Sequence, residues 1–225
     1  MNDIARRLQA TRERIRAMEQ RYGRPGAVTL VAVSKTRAAA EIEAAAACGQ
    51  TDFGENYLQE ALAKMTACRP ALTWHFIGPV QSNKTRDVAA RFAWVHALDR
   101  EKIARRLDAA RPAALPPLNV CLEVNISGEA SKSGVAPGEI GALATAVAGL
   151  PRLRLRGLMT MPAPATEFEA QRRPFRRLRE LFESLRADGH ALDTLSMGTS
   201  GDMEAAIAEG ATMVRIGTAI FGPRD

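Results

Sequence analysis

Two features of this sequence could do chemistry together: a lysine at the end of an apolar run, and two loops rich in glycine and hydroxyl side chains. The run is Leu30-Val31-Ala32-Val33-Ser34-Lys35, and Lys35 is one of five lysines (Lys35, Lys64, Lys84, Lys102, Lys132) among 31 basic side chains. An ammonium can lose its proton when desolvated and attack a carbonyl carbon, which a guanidinium cannot do. The alternative is a lysine whose stem lies on the strand end while its head reaches water. The loops are Ser196-Met197-Gly198-Thr199-Ser200-Gly201-Asp202 and Arg215-Ile216-Gly217-Thr218. Glycines such as Gly198 and Gly217 let backbone N–H groups approach an anion, and Ser196, Thr199, Ser200 and Thr218 add hydroxyl donors. Either loop alone reads as easily as a plain turn. Together with Lys35 they would suit a ligand carrying a carbonyl at one end and a phosphate at the other.

Both features need elements to hold them. The apolar run after Pro25 and Gly26 is short and β-branched, so it predicts a buried strand whose carboxyl end carries Lys35. Seven further strands are expected, at 51–54, 72–78, 93–98, 118–124, 153–159, 194–197 and 212–216. Helical spacing predicts helices over 3–22, 38–48, from 58 to 65, up to Ala90, over 100–111 and 139–148, from about Pro174 to Gly189, and over 203–209. Asn2 or Asp3 is available to cap the first, and Pro174 suits a first helical turn. Eight alternating strand–helix units imply a single (β/α)₈ TIM-type barrel spanning 1–225, with an extra N-terminal helix; a doubly wound open sheet is the other fold considered. In a closed barrel the first and eighth strands are neighbours. The loops after strands seven and eight are the customary phosphate site.

Composition narrows the function classes. A net charge of +6 would permit nucleic-acid binding, but the arginines are scattered and only 5% of residues are aromatic, so no nucleic-acid partner is expected. Cys48, Cys68 and Cys121 lack metal-ligand spacing and read as buried, reduced thiols, hence a reducing compartment. No apolar run approaches the roughly 20 residues of a membrane span. The N-terminus is charged and amphipathic. No membrane association and a cytoplasmic location are expected.

Several stretches then combine. Val31-Ala32-Val33-Ser34-Lys35-Thr36, Phe53-Gly54-Glu55-Asn56-Tyr57, Trp74-His75-Phe76-Ile77-Gly78 and Gln81-Ser82-Asn83-Lys84 occur in order. Ser131-Lys132-Ser133-Gly134, Gly157-Leu158-Met159-Thr160-Met161, Leu195-Ser196-Met197-Gly198 through Asp202-Met203, and Val214-Arg215-Ile216-Gly217-Thr218-Ala219-Ile220-Phe221-Gly222 complete the series. With these the chain resembles the pyridoxal phosphate homeostasis proteins, which share their barrel with the N-terminal domain of alanine racemase. The resemblance implies pyridoxal 5'-phosphate as cofactor, a Schiff base on Lys35, and the phosphate in the loops at 196–200 and 215–218. Thr199 departs from the family, which more often has methionine there. The resemblance also implies intracellular buffering of the cofactor, or its delivery to apo-enzymes. A regulatory or transfer role for Lys84 and Lys132 is suggested by it as well.

Other residues carry two readings each. Asn56 could contact the cofactor ring or cap the following helix. Arg215 could sit by the pyridine nitrogen or form a structural ion pair. His75 and His96 lack carboxylates at metal spacing and read as core or supporting histidines, so no metal site is expected. Arg172 to Arg186 read as a solvated face. A racemase needs acid and base on opposite faces of the substrate carbon, and the related racemases take one, a tyrosine, from a second domain. This chain is expected to lack that domain, and its two tyrosines are Tyr22 and Tyr57. A non-catalytic monomeric carrier is therefore expected; the alternative is a small pyridoxal-phosphate-dependent racemase or related enzyme using Tyr57.

Overall fold

The computed structural model describes residues 3–68, 72–129 and 133–223. Lys132 and Asn2 lie outside these residues. Eight strands, β1 (Thr29–Val33), β2 (Asp52–Glu55), β3 (Thr73–Phe76), β4 (Trp94–Leu98), β5 (Leu118–Glu123), β6 (Leu153–Met159), β7 (Thr194–Ser196) and β8 (Met213–Ile216), close into one barrel in sequence order. Every neighbouring pair is parallel, including β1 with β8, where Ala32 stands opposite Ile216. The closed barrel, not the open sheet, is thus the fold.

An N-terminal helix α1 (Asp3–Arg21) precedes β1. Helices α2 (Ala39–Ala47), α3 (Leu58–Ala67), α4 (Thr85–Arg91), α5 (Glu101–Ala110), α6 (Ile140–Ala148), α7 (Phe168–Ala187) and α8 (Met203–Ala208) follow the first seven strands. The four-residue α9 (Thr218–Phe221) follows β8. Among the described residues no helix is long and apolar enough to cross a membrane. Helix α7 starts at Phe168, six residues before Pro174, which therefore lies inside the helix. An interior proline forgoes one N–H bond and crowds the preceding turn, yet α7 continues through Pro174, which does not mark the start.

Strand alternation sorts the side chains into two layers. Leu30, Ala32, Phe53, Val95, Val120, Leu158 and Val214 join the main core between barrel and helices. Val31, Trp94, Cys121, Met159 and Met213 form a separate, smaller cluster on the inward face. Cys68 and Cys121 are buried and Cys48 is half-buried, and all three are free. Burial pushes the Cys121 thiol up to about 12.

The basic helix α7 is more than a solvated face. Arg172, Arg176 and Arg179 converge on the carboxylate of Glu209 at 2.7, 3.1 and 3.3 Å. Glu209 follows α8 and is 1% exposed. Three cations around one buried carboxylate tie α7 to the helix that carries the 198–202 loop.

Candidate functional site

The C-terminal ends of the strands meet around one cleft of about 240 Å³. Val33 and Lys35 enter it from β1, Asn56 from β2, Ile77 from β3 and Met161 from β6. Thr199, Ser200 and Gly201 come from the loop after β7, and Arg215, Gly217 and Thr218 from β8 and its turn. Six of the expected residues (Lys35, Asn56, Ser200, Arg215, Gly217, Thr218) thus share one space. An adjoining cleft of about 210 Å³ shares Met161, Thr199, Gly201 and Arg215 and adds Gly198 and Asp202.

Lys35 is held by its neighbours in the chain. Thr36 has φ of +64°, the left-handed region that a β-branched residue rarely adopts. The N–H of Thr36 donates to Glu60 at 2.5 Å. Lys64 donates to the carbonyl of Ser34 at 2.6 Å and to Glu55 at 2.8 Å, and also pairs with Glu60. The Ser34 hydroxyl donates to the same Glu55 oxygen at 2.5 Å. Both peptide groups flanking Lys35 are therefore pinned by a buried ion cluster. Burial pushes the Glu55 carboxyl up, opposed by its bonds to Lys64 and Ser34. None of this was expected from the sequence, although Glu60 and Lys64 stand four apart on one helix face, a spacing at which opposite charges meet.

The loop after β7 is shaped by Asp202, which accepts from the Thr199 N–H at 2.6 Å and the Thr199 hydroxyl at 2.8 Å. The amides of Ser200 and Gly201 donate to no backbone carbonyl among the described residues. Thr218 and Ala219 open α9, where the first N–H groups lack helical partners. Gly217 approaches β1 so closely that a Cβ would stand 3.2 Å from the Val33 carbonyl oxygen. Gly198 serves packing: its φ is +97°, and a Cβ would lie 2.6 Å from that of Ala206.

Asn56 does not cap α3. Tyr57 occupies that position, without a side-chain cap. Asn56 Oδ1 is instead buried with no hydrogen-bond partner among the described residues. Gly78 permits this placement, since a Cβ there would lie 2.5 Å from the Asn56 carbonyl oxygen.

Arg215 is 4% exposed and makes no ion pair among the described residues. It donates from Nη1 to Ser196 Oγ at 2.7 Å and from Nη2 to the Thr160 carbonyl at 3.0 Å. Burial pulls it down to about 10, with Asp202 and Glu123 opposing, so it stays charged at neutral pH. Ser196 stands apart from the Lys35 cleft. It is the last residue of β7, its side chain is fully buried, and its hydroxyl is engaged by Arg215 and by His96 Nδ1 at 2.7 Å. His75 and His96 are fully buried, as expected of supporting residues. Lys84 closes a single 3₁₀ turn over Ser82–Lys84, away from the cleft lining. Among the described residues no metal-binding cluster of His, Cys, Asp or Glu occurs.

A family model described as the alanine racemase N-terminal domain matches residues 7–225. The pyridoxal phosphate homeostasis protein of Pseudomonas aeruginosa is 60% identical over 227 residues, which span the whole chain and 97% of that relative. The chain belongs to the pyridoxal phosphate homeostasis family. The Escherichia coli K12 member is 54% identical over 230 residues, covering the whole chain and 98% of its own length. Among solved structures, PipY of Synechococcus elongatus PCC7942 is similar both without and with PLP bound. The TM-scores are 0.88 and 0.85 at 36% and 35% identity, over 97% of this chain and all of PipY. The alanine racemase of Corynebacterium glutamicum shares the fold at 18% identity and a TM-score of 0.76, and the match spans 99% of this chain and 61% of the racemase.

Proposed function

We propose that the chain binds pyridoxal 5'-phosphate in the Lys35 cleft, through a Schiff base on Lys35, and buffers or delivers it without turning over an amino acid. The observation that carries this reading is the opening of one amine and two donor loops onto a single cleft. The residues present fit the group. Lys35 supplies the nucleophile for an aldehyde. Ser200, Gly201, Gly217 and Thr218 supply hydroxyl and amide donors for a phosphate. The buried Asn56 side-chain amide, whose Oδ1 has no hydrogen-bond partner among the described residues, supplies a further polar contact for the ring. Pyridoxal phosphate, when bound, offers an electron sink whose strength depends on protonation of its ring nitrogen. Arg215, charged at neutral pH, would keep that nitrogen unprotonated and the sink weak if the ring were held with the nitrogen beside it.

The carrier reading draws on the same site. A racemase or decarboxylase needs a proton donor or acceptor held against the substrate carbon. Neither tyrosine lines the cleft. Tyr22 directly follows α1 and donates to Glu204 at 3.1 Å, and Tyr57 is 57% exposed. Access of water to the cleft permits exchange with free cofactor and with apo-enzymes. In this reading the chain works in the cytoplasm as a single-domain monomer.

The test has two arms. The cofactor-loaded protein is incubated with each amino acid in deuterated water, and α-proton exchange is followed. It is then mixed with an apo pyridoxal-phosphate enzyme, and recovered activity is measured. Reactivation without stereochemically defined exchange supports the carrier. Rapid exchange lost in Tyr57→Phe would establish the enzyme instead.

A further inference from the structure

The barrel interior carries a second polar system that the proposed cofactor attachment does not use. It begins at Asp52, the first residue of β2, at the end of the barrel opposite Lys35. Asp52 Oδ1 lies 3.0 Å from His75 Nε2, His75 Nδ1 lies 2.9 Å from His96 Nε2, and His96 Nδ1 lies 2.7 Å from Ser196 Oγ. Ser196 Oγ then accepts from Arg215 Nη1 at 2.7 Å. Asp52 is partly exposed, borders a groove shared with Arg12, Arg16 and Glu19 of α1, and accepts from the Thr51 hydroxyl at 2.7 Å. Barrel interiors are usually filled by branched aliphatic side chains. Here four polar or charged side chains of β3, β4, β7 and β8 cross the interior.

The direction of each bond follows from the ends. Burial works to raise the Asp52 carboxyl, but its bonds from His75 and Thr51 outweigh that and hold it below the usual range, so it is ionised at neutral pH. An ionised carboxylate only accepts, so His75 Nε2 must carry the proton. Burial lowers both imidazoles and keeps them neutral, with one N–H each. His75 Nδ1 is then bare and accepts from His96 Nε2–H. His96 Nδ1 is bare in turn and accepts the Ser196 hydroxyl proton. The Ser196 oxygen is left to accept from Arg215, and every donor in the chain meets an acceptor. The reverse order would set a bare His75 Nε2 against the carboxylate.

We infer that Asp52, His75, His96 and Ser196 are positioning residues: a one-way hydrogen-bond chain through the barrel that lets the carboxylate at one mouth fix the guanidinium of Arg215 at the other. Two of the five Arg215 N–H donors are spent on Ser196 and on the Thr160 carbonyl. The chain therefore determines where the remaining three point. Its bearing on a bound cofactor rests on the reading above; the tautomers and the hold on Arg215 do not.

The test is long-range ¹H–¹⁵N NMR of the full chain at neutral pH without cofactor. The sequence has three histidines, so His190→Gln completes the assignment. Both His75 and His96 should be neutral with the proton on Nε2, and the Arg215 guanidinium N–H groups should exchange slowly. Asp52→Asn, whose amide both donates and accepts, should bring in a second tautomer at His96, which Asp52 does not touch, and speed Arg215 exchange. Ser196→Ala should speed Arg215 exchange while leaving both Nε2 protons in place. A proton on Nδ1, or a charged ring, at either residue in the unsubstituted chain overturns the inference, whether or not any variant folds. So does an Asp52→Asn spectrum with His96 and Arg215 unchanged.

Discussion

The ammonium of Lys64 donates to the carbonyl oxygen of Ser34 at 2.6 Å, one residue before the amine proposed to carry the cofactor. One lysine thereby holds another. Lys64 also neutralises Glu55, which is fully buried, so removing it leaves an uncompensated carboxylate in the core. Breaking a buried pair from one side costs about 3–5 kcal/mol. Lys64→Met should lower the unfolding free energy by about that much in urea denaturation. Adding Glu55→Gln should recover part of it. A loss under about 1 kcal/mol for Lys64→Met would show that the cluster does not support the Lys35 turn.

The donor loops should discriminate between ligands. Hydrogen bonds to a charged group are worth about 1.5–3 kcal/mol each. Ser200→Ala or Thr218→Ala should therefore weaken pyridoxal phosphate binding roughly tenfold or more, read by titration. Unphosphorylated pyridoxal should be affected much less. Equal losses for both ligands would place the phosphate elsewhere.

Much of this candidate site is legible in the sequence. Strand ends are marked by short β-branched runs meeting glycine or polar residues, and in a barrel all such ends converge, so Lys35, Asn56, Ser200, Arg215, Gly217 and Thr218 could be grouped from the chain. Ser196 was expected both at the end of the seventh strand and as a donor of the loop that follows; it ends β7 with its hydroxyl turned to His96 and Arg215, and the alternation of a three-residue strand is too brief to assign that facing. The 75–96–196 chain was hidden because its contacts span 21 and 100 residues and exist only once the barrel closes. Glu209 was hidden likewise, since the arginines that surround it lie 30 to 37 residues earlier, on another helix.

Glu123 should leave a signature in pH. Burial pushes its carboxyl up to about 7, with the nearby Asp99 carboxylate adding and Arg215 opposing. A raised carboxyl binds its proton more tightly in the folded chain, so its contribution is full below the ordinary value. It is lost as pH rises from about 4.5 through 7. Glu123→Gln should remove this loss. Relative to the unsubstituted protein it should gain roughly 1–3 kcal/mol at pH 8 and little at pH 4.5. His75 and His96 act oppositely, destabilising the fold as pH falls, but they are common to both proteins and cancel in the comparison. An equal difference at both pH values would mean that Glu123 is not held protonated by the fold.

The claim on which the functional account turns is that Lys35 carries the cofactor covalently. Borohydride reduction of the pyridoxal-phosphate-loaded protein makes a Schiff base permanent, and peptide mass mapping then locates it. The account predicts the pyridoxyl group on Lys35 and its loss in Lys35→Ala. Recovery of the label mainly on Lys84 or Lys132 would contradict it.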